Sequence, residues 1–261
     1  IRRNGALYVA ESRIRQMSKW KGIITVVAVG NPLFYLIAIG IGIGILVTEN
    51  SGTSGTGGVE YIVFIAPALL ANTALLGAMD ETVFPVMEGF KWRKMFYAIN
   101  STPITGPQIA LGVFLAALVR VAFSVIVYWL LLVAFGVLSF KESWISTIVA
   151  MYGGAAFGAL MMGVVAGVKK DDYFLTVLGR LVITPLFLFS GTFFPLTNMP
   201  IYLQPIGWIS PLWHTTELGR YFGYGAEVST TMLSIHFLFL TAMLVVGIKI
   251  ANIRFTNRLL K

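Results

Sequence analysis

LVITPLFLFSGTFFPLTNMPIYLQPIGWISPLWHTT, residues 181–216, runs for 36 residues without a charge. A helix needs about 20 apolar residues to cross the hydrocarbon core of a bilayer, so length alone would allow two crossings here. Pro185, Pro195, Pro200, Pro205 and Pro211 argue against that. Inside a helix, proline removes a backbone donor and its ring clashes with the carbonyl four residues earlier. The stretch therefore reads as one span over 175–194 followed by a re-entrant hairpin over 196–221. That choice decides on which side of a membrane everything after it emerges.

The other apolar runs are simpler. They are Ile23–Val47, Tyr61–Met79, Ala98–Phe140 (interrupted only by Arg120), Ser143–Val168 and Val228–Ile248. The run from Ala98 has no turn signal after Pro107, so it reads as one long helix. The expected spans are 23–47, 61–87, 108–137, 145–168, 175–194 and 228–250, six in all. Charge supports this count. With the amino terminus in the cytosol, fifteen Lys and Arg residues fall on inner segments and two, Lys141 and Arg220, on outer ones. Such an excess of inner positive charge orients membrane proteins. A seventh crossing would send the basic end, with Arg254, Arg258 and Lys261, to the wrong side. Both termini are therefore expected in the cytosol.

Composition excludes the main soluble classes. The chain has 261 residues, 57% hydrophobic and 11% charged, with a mean hydropathy of +0.83. An average soluble domain carries about 25% charged residues. A soluble enzyme, a secreted disulfide scaffold and a disordered chain are all ruled out by that figure. The net charge of +8 belongs to loops between apolar runs, so it reports orientation and no nucleic-acid partner. There is no cysteine. The first apolar run is too long, and too far from the basic start, for a cleavable signal peptide.

Outside the spans, Leu7, Ala10, Ile14 and Met17 recur at helical spacing, which predicts an interfacial helix over 5–21. The glycine- and serine-rich stretch over 48–60 predicts a flexible outer loop. In the first inner loop, Glu88, Gly89, Phe90, Lys91, Trp92, Arg93, Lys94, Met95, Phe96 and Tyr97 interleave aromatic and basic side chains. A short helix of this kind can dock in a groove on a partner or simply anchor at headgroup depth; the chemistry leaves both open. Pairs of glycines four apart, Gly40 with Gly44, Gly154 with Gly158 and Gly163 with Gly167, permit close helix approach.

Catalytic chemistry is missing. No GxxxxGK[ST] loop is present to cradle a nucleotide, and no HExxH or cysteine cluster could bind a metal. His214 and Glu217, three apart, are expected to form a hydrogen-bonded pair in the outer hairpin, and His236 to pack against a neighbouring helix. Asp80 and Glu81 are adjacent and cannot face each other on a helix, but either could pair with Arg120 or Arg180. Arg180 lies near a helix end and can snorkel. Arg120 lies deeper, where a charge is costly, so it is a candidate for a pathway or for an interhelical bond.

Three blocks carry a likeness to a known family: GNPLFYLIAIGIGIG (30–44), YIVFIAPALLANTALLGAMDETVFPVMEGFKW (61–92) and LFLFSGTFFPLTNMPIYLQPIGWISPLWHTTELGR (186–220). With them the chain resembles the permease subunits of type-2 ABC exporters, in particular the nodulation-type lipo-oligosaccharide and daunorubicin-type drug exporters. The resemblance implies an all-α integral membrane protein of the bacterial cytoplasmic membrane, with six spans, an amino-terminal interfacial helix and a re-entrant pair between spans five and six. It implies a coupling helix over 88–97, using Glu88, Gly89, Phe90, Lys91, Trp92 and Arg93. An outer gate would involve Phe193, Phe194, Pro195, Pro211, His214 and Glu217. The chain would hold no cofactor and be no enzyme by itself. ATP and Mg would sit on two copies of a separate ABC ATPase, and a second permease, identical or related, would complete the transporter. The cargo would be a lipid-linked, glycolipid or drug-like amphiphile. An ion-coupled carrier is a weaker reading, because the carboxylates cluster at span ends. A membrane scaffold is a second alternative.

Overall fold

The structure is a computed structural model that describes residues 4–44, 46–47, 56, 58–169 and 173–260. Most of the outer loop expected over 48–60 lies outside these residues. The described chain is helical, with no strand. Helix α1 is Gly5–Ser18 and α2 is Lys21–Tyr35, continued by a π-helical stretch Leu36–Ile43. Helix α3, Tyr61–Met87, runs into a π-helical turn, Glu88–Trp92, and then α4, Met95–Asn100. The long helices α5, Gly106–Ala134, and α6, Phe140–Ala166, follow. An apolar helix α7, Phe174–Phe189, leads to the short α8, Gln204–Trp208, then α9, Pro211–Tyr224, and α10, Thr230–Leu259.

Among the described residues, five helical stretches are long and apolar enough to cross a membrane: Lys21–Ile39, Tyr61–Trp92, Gly106–Ala134, Phe140–Ala166 and Thr230–Leu259. Helix α7 is shorter. It ends at Phe189, where Ser190 returns its hydroxyl to the Leu186 carbonyl and Gly191 turns the chain with φ 69°. At about 1.5 Å per residue it reaches roughly 24 Å, less than the ~30 Å hydrocarbon core. The expected span over 175–194 is thus a helix that stops five residues sooner, before Pro195.

Helices α3, α5 and α6 form the centre, with α10 packed along α6 and α9 wedged between α3, α6 and α10. The outward faces are apolar: Val26 is 70% exposed, Leu238 70% and Ile253 59%. Continuous exposed apolar surface of this kind marks contact with lipid or protein and not with water.

In lipid, helices gain little from burying apolar groups against each other, so small residues that allow close backbone approach become decisive. Gly154 meets α3 so closely that a Cβ there would lie 2.8 Å from the Ala74 carbonyl oxygen. Gly158 faces Ala78 on the same helix, and Gly163 faces the Gly247 carbonyl of α10. Gly247 in turn rests on the Ala159–Leu160 backbone, where a Cβ would overlap it. The surroundings of Gly40 lie outside the described residues.

Helix α1 lies against α5. Val9 and Ala10 are buried, while Leu7 is 59% exposed. Only part of the expected apolar stripe turns inward. The start of α5 is fixed by a capping box in which Gln108 bonds back to the Thr105 backbone at 3.0 Å.

Gly154→Leu is expected to destabilise the purified protein by about 1–3 kcal/mol through overpacking. Gly30→Ala, at a position with no neighbour within 4 Å, should not lower stability. Thermal unfolding in detergent followed by size-exclusion fluorescence distinguishes the two.

Candidate functional site: an inner junction and an outer cap

The inner junction grows from the end of α3. Arg13 of α1 reaches Glu88 at 3.4 Å and Glu81 at 3.5 Å, with its side chain only 13% exposed. Glu81 is therefore the partner of Arg13, and among the described residues it forms no ion pair with Arg120 or Arg180. Glu88 also meets Arg93 at 3.2 Å, but Arg93 is 72% exposed and that pair contributes little.

The stretch expected as one helix over 88–97 is two pieces. The π-turn ends at Trp92, and Lys94 adopts a left-handed conformation with φ 54° before α4 begins. This break folds Phe96 back onto Phe90. Their rings meet edge to face at 5.0 Å, and Phe255 of α10 joins both, at 4.8 Å and 5.4 Å. Gly89 is tightly covered by the Phe96 ring, so no side chain fits there. Arg258 lies over Phe90 at 4.4 Å and donates to the carbonyls of Ala166 and Val168, both at 3.0 Å. Arg254 donates to Gly163 and Val164 in the same way. Two arginines of α10 thus cap the last turn of α6, whose carbonyls have no partner within their own helix.

The sequence-predicted residues divide between two tasks. Gly89 and Phe90 are buried and hold the junction together. Trp92, Arg93 and Lys94 are exposed, with Trp92 at 49%. Arg13 and Phe255 were absent from the sequence reading, since nothing in their local pattern reveals contacts 68 or more positions away.

The outer cap is built on Pro67. Proline within α3 breaks the helical ladder, and Gly219 of α9 packs against its ring. One turn earlier, the Phe64 carbonyl accepts from Arg220 Nε at 3.3 Å. Arg220 is 2% exposed. It also donates to Glu217 at 2.7 Å and to the Gly191 carbonyl at 2.7 Å, and its guanidinium lies 3.7 Å above the Phe64 ring. Glu217 is thus the partner of Arg220 and not of His214. Spacing alone does not choose between them, since Glu217 lies three residues from His214 and three from Arg220.

His214 is held differently. Its Nε2–H donates to the Trp208 carbonyl at 2.9 Å, which leaves Nδ1 to accept from His236 Nδ1–H at 2.7 Å. Trp213 meets both imidazoles edge to face, and Phe239 stacks on His214 at 3.9 Å. This box joins α8, α9 and α10. Pro211 opens α9 beside its cap Ser210, which bonds to Ser190 at the end of α7. Phe193 packs on Phe187 at 5.2 Å, Phe194 is 42% exposed, and Pro195 leads into a short turn at Leu196–Asn198. Arg180 is exposed on α7. Arg120 lies within α5, beside a cavity that also contains Asp80. Among the described residues no group of three or more potential ligands could hold a metal.

A family model described as ABC-2 type transporter matches residues 7–224. The chain belongs to the ABC-2 type transporter family. It is 28% identical to nodulation protein J of Rhizobium meliloti strain 1021, over 83% of this chain and 81% of that one. It is 30% identical to nodulation protein J of Rhizobium leguminosarum bv. trifolii, over 72% and 70%. The probable multidrug ABC transporter permease YbhR of Escherichia coli K12 is 24% identical over 62% of this chain and 44% of that one. This ABC-2 family member is accordingly a multi-pass integral membrane protein, and the matched region takes in the parts of the inner junction and the outer cap that precede α10.

Removing Arg220 leaves the partly buried Glu217 carboxylate and two carbonyls without their donor. Arg220→Met should cost about 3–5 kcal/mol, the range for breaking a buried pair. Glu217→Gln, at a more exposed group, should cost less. A double-mutant cycle on the thermal midpoint should give a coupling well above that of an exposed pair.

Proposed function

We propose that the chain is the membrane-spanning subunit of an ABC exporter in a bacterial cytoplasmic membrane. It crosses the membrane six times, counting α7 as a short fifth span continued by a re-entrant pair, α8 and α9. Both termini face the cytosol, where inner positive charge places them. Two ATPase subunits hold ATP and Mg, and a second permease, identical or related, completes the pathway. The cargo is an amphiphile, lipid-linked, glycolipid or drug-like.

The observation that carries this reading is the exposed Trp92–Arg93–Lys94 knob on a rigid base. Phe90, Phe96 and Phe255 fuse the base to α10, Arg258 ties it to the end of α6, and Arg13 ties it to α1. A force applied at the knob reaches three helices through packed rings and charged hydrogen bonds. This suits rigid-body rocking of one permease against another. At the opposite end, Phe193, Phe194 and Pro195 form the outer gate, and the Arg220 and His214 networks fasten the re-entrant pair behind it.

The tagged chain, coexpressed with its companion ATPase, should bring that ATPase down stoichiometrically, with hydrolysis inhibited by orthovanadate. A chain that purifies alone and hydrolyses nucleotide would overturn the proposal. Trp92→Ala with Arg93→Ala should weaken this capture or uncouple hydrolysis from transport while leaving the thermal midpoint unchanged. Phe90→Ala should instead lower the midpoint, through a loss of stability of about 3–5 kcal/mol, as expected for a buried ring removed to leave a cavity.

A further inference from the structure

A cavity of about 320 Å³ lies between α2, α3 and α5. Arg120 is the fifteenth of the 29 residues of α5, at mid-helix. It is 8% exposed, and its Nε and Nη1 are buried with no hydrogen-bond partner. Ser124 and Tyr128 follow at steps of four, which places all three on one helical face. The Tyr128 hydroxyl is likewise buried and unpartnered. Asn72, Thr73 and Asp80 of α3 and Asn31 and Tyr35 of α2 add further polar groups to the wall.

Other buried arginines behave differently. Arg220 has a full set of acceptors, and Arg13 finds two carboxylates. Arg120 and Asp80 share the cavity, yet no ion pair joins them within 4 Å among the described residues. A guanidinium cannot discard its proton. At mid-membrane its unmet donors therefore call for an acceptor from outside the chain. Its planar fork matches phosphate, sulfate or carboxylate oxygens. Val27, which lines the same cavity, is 41% exposed, so the cavity opens to the apolar surface beside α2. A headgroup can thus enter while its tail stays in hydrocarbon.

We propose that this cavity binds the anionic headgroup of an amphiphile, with Arg120 and the Tyr128 hydroxyl donating to its charged oxygens. Asn72 and Ser124 serve the neutral polar groups, and Asp80 repels a second negative charge while accepting from hydroxyls. As the site of a transported cargo it rests on the exporter reading above; as a binding site it stands without it.

Equilibrium dialysis of the full chain in dodecyl maltoside, with radiolabelled dodecyl phosphate as probe, tests the proposal. Saturable binding of one probe per chain is expected. Arg120→Met should weaken it about tenfold or more, and Tyr128→Phe about threefold or more, the effect of losing bonds to a charged group. Arg120→Lys should retain part of the affinity. Competition on the unmodified protein keeps the test decisive if Arg120→Met fails to fold. Phosphatidylglycerol should compete. Inorganic phosphate competing as well as dodecyl phosphate would assign the cavity to free anions and overturn the amphiphile. Equal competition by octaethylene glycol monododecyl ether would assign binding to the tail and overturn the role of charge, as would undiminished binding by folded Arg120→Met. If the ATPase is not captured while this binding persists, the exporter reading falls and the site remains.

Discussion

In hydrocarbon no water is available to satisfy a backbone N–H or C=O, so every such group must be met by the protein itself. That constraint organises this molecule. Four of its arginines are not scattered counter-charges. Arg254 and Arg258 satisfy the carbonyls at the end of α6, Arg13 gathers Glu81 of α3 and Glu88 just beyond it, and Arg220 binds a carboxylate, two carbonyls and an aromatic face at once. Arg254 and Arg258 lie where a helix ends, and Arg220 lies beside the proline of α3. Arginine suits these places because its fork presents several donors in fixed directions.

The apolar packing obeys a related rule. Since lipid tails are as apolar as leucine, helix association in the membrane depends on close fit. The Gly154 face of α6 against α3, and Gly247 of α10 against α6, bring backbones together where larger residues would hold them apart. The inner junction then adds a ring cluster between α3, α4 and α10. Together these contacts tie α3, α4, α6 and α10 into one packed centre.

The relation between the two ends follows from the same helices. Helix α3 carries Pro67 near one end and Glu88 just beyond the other, so α3 connects the outer cap directly to the inner junction. Helix α10 repeats the connection, with His236 in the outer box and Phe255 in the inner ring cluster. The polar cavity around Arg120 lies between those ends, beside α3.

The sequence by itself determined the class. Low charge, long apolar runs and the bias of lysine and arginine are properties of composition and order, and the membrane solvent reads them locally. The three quoted blocks also carried the family. Tertiary structure alone decided the partners. Glu217 sits three residues after His214 and three before Arg220, and only the fold selects Arg220. His236, which stands alone in its span, meets His214 across two helices. Phe90 resembled a surface contact in the basic-aromatic run until the left-handed turn at Lys94 folded Phe96 over it. Side-chain periodicity fixes which residues share a helix face, but contacts between distant segments depend on how helices cross, and no local pattern encodes that angle.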